Sequence, residues 1–309
     1  ALWPIAGMPL LACLLLASLV ATTDPVAVIA IFRDVGAPDR LTRLVEGESL
    51  FNDALAISLF LIFSAAIIAP GSVTVTGAAL NLLLLPIGGG LFGYLMARLY
   101  LQLLRLIGDD QVTAVSLSLA LPYLSFWIAE HVLQVSGIIA VATAGVALAS
   151  LSPARVTREL WRHLDDTWQQ LASWAAILVF VLTSLLVPQM MTDLSPFDFL
   201  LMLVIFAATL ATRALVLFGL MPLLSQYGLS SRVSRPYRLV VLWGGLRGSM
   251  TLTLALAVSE NDAVPRPVAA FVVTLATGYT LMTLFVQGTT LRPLIRGLGL
   301  DRLSGIDRA

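Results

Sequence analysis

Charged side chains are scarce in this sequence of 309 residues, since Asp, Glu, Lys and Arg together make up only 12% of it. Soluble globular domains carry roughly 25% charged residues. Hydrophobic residues reach 59%, and the mean hydropathy is +0.94. Because the shortage of charge extends along the whole chain, an ordinary soluble fold is excluded and a polytopic membrane protein is predicted.

Cysteine is almost absent and lysine is missing altogether. Cys13 is the single cysteine, so no disulfide can form within the chain, and its apolar neighbours favour a small packed side chain. All 18 basic residues are arginine. The formal net charge is zero, so charge gives no sign of a nucleic-acid partner, and none is predicted.

Long apolar stretches are what the sequence has in abundance. A helix needs about 20 apolar residues to cross the hydrocarbon core of a bilayer. We predict about nine transmembrane helices, separated by glycine and proline turn signals. They lie at roughly 9–32, 44–68, 77–104, 112–131, 135–151, 168–188, 197–222, 238–258 and 266–291.

The arginines predict the orientation of these spans. If segment 33–43 is cytoplasmic and the sides alternate, 15 arginines fall in the cytoplasm and only Arg266 falls outside. Residue 1 would then be outside and residue 309 in the cytoplasm of a multi-pass plasma-membrane protein. The sequence does not begin with methionine, so we expect further helices upstream.

Residues 155–168 have two open interpretations. Their apolar side chains share one helix face, formed by Val156, Leu160, Trp161, Leu164 and Trp168. The segment is either an amphipathic helix lying on the inner membrane surface or a helical extension of the next span.

Polar side chains inside the predicted spans are the candidate functional residues, because a charge there costs about 2.5–3.5 kcal/mol on insertion scales. The second span contains Glu48, Ser49, Asn52 and Asp53 at spacings that place all four on one helix face. Packing between helices explains Ser49 and Asn52 but explains two carboxylates poorly. The two carboxylates, Glu48 and Asp53, are therefore predicted to have a functional role.

Two spans contain signals that interrupt a helix near mid-depth. Pro25 disfavours helical backbone at Asp24, although a simple kink with a hydrogen-bonded Asp24 is an alternative. Paired interrupted helices are typical of the substrate site of secondary transporters, where unwound backbone lines a cavity. The second signal is the glycine-rich sequence Gly244-Gly245-Leu246-Arg247-Gly248.

Arg213 lies inside the seventh span and stays protonated, so it needs an acceptor. Glu48 is the predicted partner, because Asp24 and Asp53 are better placed for a mobile ion. Such a buried pair would fix helix register rather than add stability. The alternative is an Arg213 side chain that snorkels or bonds backbone carbonyls.

Five motifs in this order resemble the monovalent cation/proton antiporter family, in its sodium/proton exchanger branch of bacterial type. They are Thr23-Asp24-Pro25-Val26-Ala27-Val28, Glu48-Ser49-Leu50-Phe51-Asn52-Asp53, Ala211-Thr212-Arg213, Gly244-Gly245-Leu246-Arg247-Gly248 and Phe285-Val286-Gln287-Gly288-Thr289-Thr290-Leu291-Arg292-Pro293. The resemblance covers essentially the whole chain and corresponds to the fifth to thirteenth helices of a thirteen-helix member.

The resemblance implies an all-α membrane protein with an inverted-repeat antiporter fold, in which the first and eighth spans cross as broken helices. It implies an ion-carrying core at about 1–68 and 197–298 and a scaffold and dimerisation part at about 77–190, hence a homodimer in the lipid bilayer. No cofactor is expected beyond the transported ions.

The resemblance also implies roles for individual residues. It places the exchanged sodium ion or proton at Asp53, and it pairs Glu48 with Arg213. Asn52, where other members have a second aspartate, resembles the electroneutral members. The residues expected near the ion are Asp24, Thr23, Ser49 and Asn52.

The residues suggest how exchange would proceed. Oxygen ligands suit a hard monovalent cation, and burial favours the neutral form of a carboxylate. Asp53 would hold a cation or a proton in alternation as the site opens to either side.

The sequence leaves alternatives open. The transported cation could be lithium or potassium in place of sodium, as in a K+/H+ antiporter of the same fold. Other classes are an aspartyl protease using Asp24 and Asp53, although its Gly-x-Gly-Asp motif is absent, and a passive channel.

Overall fold

The structure is a computed structural model that describes residues 3–69, 75–107, 110–152, 156–191, 194–227 and 233–300. Regular structure in these residues is helical, and no strand occurs among them. The helices α1 to α14 are, in chain order, Trp3–Ala6, Leu10–Ala21, Pro25–Val35, Asp39–Ile68, Val75–Ile107, Gln111–Trp127, Gly137–Leu151, Arg158–Met190, Pro196–Ala214, Met221–Gln226, Arg235–Trp243, Ser249–Ser259, Arg266–Thr283 and Thr289–Gly297. Three π-helical segments extend α6, α9 and α13, at Ile128–Val132, Leu215–Leu220 and Leu284–Gly288.

Helices dominate because a chain inside a bilayer must satisfy its backbone hydrogen bonds internally. All nine predicted apolar stretches fall on helices, which confirms the prediction of an all-α membrane protein. Two shorter apolar helices, α7 and α12, lie among the described residues as well. The segments long and apolar enough to cross a membrane are Leu10–Val35, Arg40–Ile68, Leu84–Ile107, Gln111–Val132, Pro196–Gln226 and Arg266–Gly297.

The structure revises the segment 33–43, which was predicted to be a loop. Helix α3 continues to Val35 and α4 begins at Asp39, so only residues 36–38 connect the two helices. Gly36 ends α3 with a φ of 69°, in the left-handed region that glycine adopts without a steric penalty. The long apolar stretches located the centres of these helices but not their polar ends.

Helix α8 decides between the two interpretations of residues 155–168. It runs without a break from Arg158 to Met190, so this segment extends the next span, while residue 155 lies outside the described residues. Leu160 and Leu164 are buried in a core cluster with Tyr100 and Leu101. The apolar face therefore packs against protein, and a separate helix on the membrane surface is not formed.

The chain divides into two compact units, of which the first comprises Ala1–Pro70 and Val179–Ala309. In this unit α13 packs against α2, α9 and α12, and α4 packs against α2 and α3. One core cluster joins α3, α4, α11 and α14 through buried apolar side chains that include Val28, Phe32, Leu41, Val240, Leu291 and Ile295. These contacts hold α4 beside both interrupted spans.

The second unit comprises Gly71–Leu178 and is built around α5, α6 and α7, which pack pairwise. Gly93 permits the close approach of α5 to α7, because a Cβ at this position would lie 2.0 Å from the carbonyl oxygen of Ala140. The amide of Ser136 donates a 3.2 Å hydrogen bond to the carbonyl of Leu85 in the same region.

Candidate functional site

The first interruption lies between α2 and α3. Helix α2 ends at Ala21, and α3 begins at Pro25, whose missing N–H is not needed in a first helical turn. Asp24 has extended backbone and caps α3, since its Oδ1 accepts a 2.9 Å hydrogen bond from the amide of Val26. The predicted break at Asp24 is therefore present, and it exposes backbone groups in the middle of the span Leu10–Val35.

The second interruption lies between α11 and α12. Helix α11 ends at Trp243 and α12 begins at Ser249, so the intervening residues 244–248 are not helical. All five are buried. The glycines predicted to weaken this span thus coincide with a true break rather than a bend.

The two breaks lie directly against each other. The amide of Asp24 donates a 2.9 Å hydrogen bond to the carbonyl of Leu246. The hydroxyls of Thr22 and Thr251 are 2.7 Å apart. A Cβ added to Gly248 would lie 1.8 Å from Oδ2 of Asp24. The fold therefore joins the predicted broken helices at the level of Asp24.

The polar face of α4 covers the first break. Oδ1 of Asp53 accepts a 3.1 Å hydrogen bond from the amide of Thr23, and the hydroxyl of Ser49 donates to the carbonyl of Thr23. Nδ2 of Asn52 makes longer contacts of 3.5 Å with the hydroxyl of Thr23 and with Glu48. The structure thus brings Asp53 together with the four residues expected near the ion, and Asp24 and Asp53 interact electrostatically.

Glu48 and Arg213 form an ion pair between α4 and α9. Nη2 of Arg213 lies 2.7 Å from Oε1 of Glu48 and 3.0 Å from Oε2, and it also donates to the carbonyl of Val241 at 2.8 Å. Gly245 leaves room for this arrangement, because a Cβ there would lie 2.6 Å from Nη1 of Arg213. Through its bond to Val241, Arg213 also links this pair to α11, the helix that precedes the second break.

Arg247 is buried in the second break, with 3% of the residue exposed. Its amide donates a 3.2 Å hydrogen bond to the hydroxyl of Thr283, and its guanidinium lies close to Tyr279. The hydroxyl of Tyr279 is also 2.7 Å from that of Thr209 on α9. Arg247 also interacts electrostatically with Glu48 and Asp53.

Sequence reasoning missed three contributors to this site. Gly248 was quoted only as part of a motif, whereas the structure shows that its missing side chain makes space for Asp24. Thr251 and Tyr279 were not singled out, although both are buried polar residues at the breaks. A buried hydroxyl in an apolar span was the available signal, but many such hydroxyls bond only their own helix.

The arrangement offers two carboxylates, hydroxyls and unwound backbone carbonyls around one point. Oxygen donors of this kind suit a hard monovalent cation, and either carboxylate can take a proton instead. No group of three or more His, Cys, Asp or Glu side chains placed to hold a metal ion occurs among the residues that the structure describes.

A solved structure shares this fold. The sodium proton antiporter MjNhaP1 from Methanocaldococcus jannaschii superposes with a TM-score of 0.70 at 21% sequence identity. The match covers 97% of this chain and 74% of the archaeal chain. This chain therefore has the same fold as that protein.

The sequence comparisons identify the family. The family model described as "Sodium/hydrogen exchanger, transmembrane" matches residues 1–297. The Na(+)/H(+) antiporter NhaH of Halobacillus dabanensis is 30% identical over 297 residues, covering 95% of this chain and 70% of the relative. The Na(+)/H(+) antiporter ApNhaP of Aphanothece halophytica is 32% identical, and the chain spans 55% of its length. The chain belongs to the sodium/hydrogen exchanger family, whose members are membrane transporters and not enzymes. Family membership confirms the resemblance and argues against the protease hypothesis.

Proposed function

We propose that this protein exchanges sodium ions for protons across the membrane, with Asp53 binding either ion. The observation that carries the proposal is the position of Asp53, on α4, against the amide of Thr23 in the first break. Asp24 and the carbonyl of Thr23 lie beside it and supply further oxygen atoms. Relatives named as Na(+)/H(+) antiporters support sodium as the cation.

Charge balance supports electroneutral exchange. Three carboxylates, from Asp24, Glu48 and Asp53, and two guanidiniums, from Arg213 and Arg247, interact in this cluster. They leave one negative charge, which one sodium ion or one proton neutralises. Because a bare charge is costly inside an apolar wall, only the neutral, occupied site should move readily between the two sides. One cation would then be exchanged for one proton.

The roles of the two parts of the chain belong to the same proposal. We assign ion carriage to about 1–68 and 197–298, since every residue of the proposed site lies in the first compact unit. The part at about 77–190 would serve as the scaffold and the contact surface of a homodimer. In the membrane, the arginine distribution supports a cytoplasmic carboxyl end and an outer amino end of this chain.

The test is cation-dependent proton flux in proteoliposomes that contain the full chain. Asp53→Asn and Asp53→Ala should abolish sodium-driven proton movement, because neither side chain can exchange a proton for a cation. Asp34→Asn is the matched control, since Asp34 forms an exposed ion pair with Arg292 at 2.8 Å, and such pairs contribute little. An Asp53→Asn protein that still moves sodium against a pH gradient would refute the proposal.

Two further arms of the assay address ion choice and stoichiometry. Lithium or potassium replaces sodium at equal concentration, and a larger flux with potassium would favour the K+/H+ alternative. The membrane potential is then clamped at different values. A one-for-one exchange should proceed at the same rate at each potential, whereas a rate that follows the potential would contradict electroneutrality.

A further inference from the structure

A cavity of about 320 Å³ lies within the second unit, where all of its lining residues belong to α5, α6, α7 and α8. Sites for small molecules typically have about 300–1,000 Å³ and mostly apolar walls. The walls of this cavity are mainly apolar, and Ala144, Gly145 and Ala149 keep the α7 side free of bulky side chains. Its size and lining are therefore those of a ligand site.

One face of α8 gives the cavity its chemical character. Trp161, Asp165 and Trp168 all line it, and their spacing of four and three residues places them on one helix face. The carboxylate thus lies one helical turn from each indole ring. Asp165 and Trp168 are exposed, so the cavity reaches the surface on this side. A cation that contacts Asp165 is within reach of two tryptophan rings, which attract cations through their faces.

The cavity wall carries one negative charge. Asp165 is the single charged residue that lines the cavity, as far as the structure describes the chain. Its carboxylate accepts a 2.9 Å hydrogen bond from Nε2 of Gln169, and no ion pair of Asp165 occurs among the described residues. The nearest charged residues along α8 on either side, Arg162 and Asp166, lie outside the lining and offset each other. A ligand that complements this wall is a cation.

The polar groups deeper in the cavity already have partners. The hydroxyl of Tyr100 donates a 3.1 Å hydrogen bond to the carbonyl of Ala114. Nε1 of Trp168 donates to Oγ of Ser118 at 3.1 Å, and that hydroxyl donates to the carbonyl of Val115 at 2.7 Å. These donors are not free for an anionic ligand, so the interior favours an apolar group.

We propose that this cavity binds an organic ammonium ion with an apolar body, of the arylalkylamine class. The ammonium group lies at Asp165, between the two tryptophans, and the apolar body packs against residues such as Leu121 and Leu148. Asp165 belongs to the polar first turns of α8, which precede its apolar part. A ligand with one charged end can therefore keep its charge near the membrane surface while its body enters the cavity. This site is independent of the proposed cation ligands Asp24 and Asp53, which belong to the first unit.

The experiment is titration calorimetry at neutral pH on the full chain in nanodiscs of phosphatidylcholine, with empty nanodiscs as the blank for partitioning into lipid. The probes share one apolar body and differ in charge: phenylbutylamine, phenylbutanol and phenylbutyrate. The amine should bind about tenfold more tightly than the alcohol, because an ion contact and two aromatic faces add to the apolar contact. The acid should bind more weakly than the alcohol.

Asp165→Asn should lower the affinity for the amine to that for the alcohol, since it removes the charge and keeps the size of the side chain. Asp166→Asn is the matched control, because Asp166 is the exposed neighbour outside the cavity lining. It should keep the preference for the amine. Gly145→Leu should weaken binding of both the amine and the alcohol by about tenfold, because a Cβ at Gly145 has no neighbour within 4 Å and the leucine can fill the cavity.

Four results would overturn the proposal. The first is that no probe binds the wild type above the blank. The second is equal affinity for the amine and the alcohol, which would show that the cavity takes apolar molecules, such as a lipid chain, whatever their charge. The third is an Asp165→Asn protein that binds the amine as Asp166→Asn does. The last is a Gly145→Leu protein with wild-type affinity, which would place the bound amine outside the cavity.

Discussion

Gly248→Ala should disable the site while leaving most of the fold intact. The added Cβ would lie 1.8 Å from Oδ2 and 2.5 Å from Cγ of Asp24, whereas real Cβ contacts essentially never fall below 3.0 Å. Asp24 or the second break must therefore move by about 1.2 Å, the difference between 3.0 and 1.8 Å.

Asp24 has little freedom to yield to this Cβ. Its Oδ1 caps α3 through the amide of Val26 at 2.9 Å, and its own amide is bonded to Leu246 at 2.9 Å. Overpacking costs about 1–3 kcal/mol in stability, and losing the cap adds about 1 kcal/mol. A displacement of about 1 Å in a functional site can cost on the order of 100-fold in rate. We expect the sodium-dependent exchange rate to fall by about this factor.

The assay combines proton flux in proteoliposomes, measured over a range of sodium concentrations, with thermal unfolding in detergent. Gly145→Ala is the control, because a Cβ at this position of α7 has no neighbour within 4 Å. A helical alanine there should keep transport unchanged and raise stability by up to about 1 kcal/mol. If Gly248→Ala transported with the wild-type rate and sodium dependence, the close contact between Asp24 and the second break would be wrong.

Two further predictions concern contacts between helices. Single charge reversals, Glu48→Arg or Arg213→Glu, should each destabilise the fold by about 3–5 kcal/mol, and the double reversal should restore much of this loss in the unfolding midpoint. No recovery in the double variant would argue against direct pairing. Gly93→Ala should lower the midpoint more than Gly278→Ala, since the new Cβ meets a backbone oxygen at 2.0 Å in the first case and a flexible methionine at 2.2 Å in the second. Equal losses would show that the α5–α7 backbones can separate.

Much of the fold could be predicted because the bilayer restricts what a chain can do. Long apolar stretches can only become helices there, so composition and hydropathy located all nine helical stretches. The ends of α3, α4 and α8 were less predictable, because a helix can continue through polar sequence when neighbouring protein covers one of its faces. The first part of α8 is an example, since its residues Leu160 and Leu164 are buried in a core cluster although the sequence around them is polar.

Part of the site could likewise be predicted from the sequence. Local chemistry was enough to predict the break at Asp24-Pro25, and spacing was enough to place Glu48, Ser49 and Asp53 on one face of α4. The sequence did not predict that Gly248 must lack a side chain for Asp24 to fit. Thr22 and Thr251 are 229 residues apart and were likewise not connected by any local pattern.

The sequence by itself determined that this chain crosses a membrane repeatedly, that two spans are interrupted, and that costly carboxylates lie near those interruptions. These properties depend on neighbours within a few residues, through proline geometry, helix periodicity and the cost of burying charge. Only the tertiary structure decided which groups face each other. It placed Asp24 against Gly248 and paired both oxygens of Glu48 with Arg213. Such contacts depend on how distant helices pack, and that packing is cooperative over the whole unit.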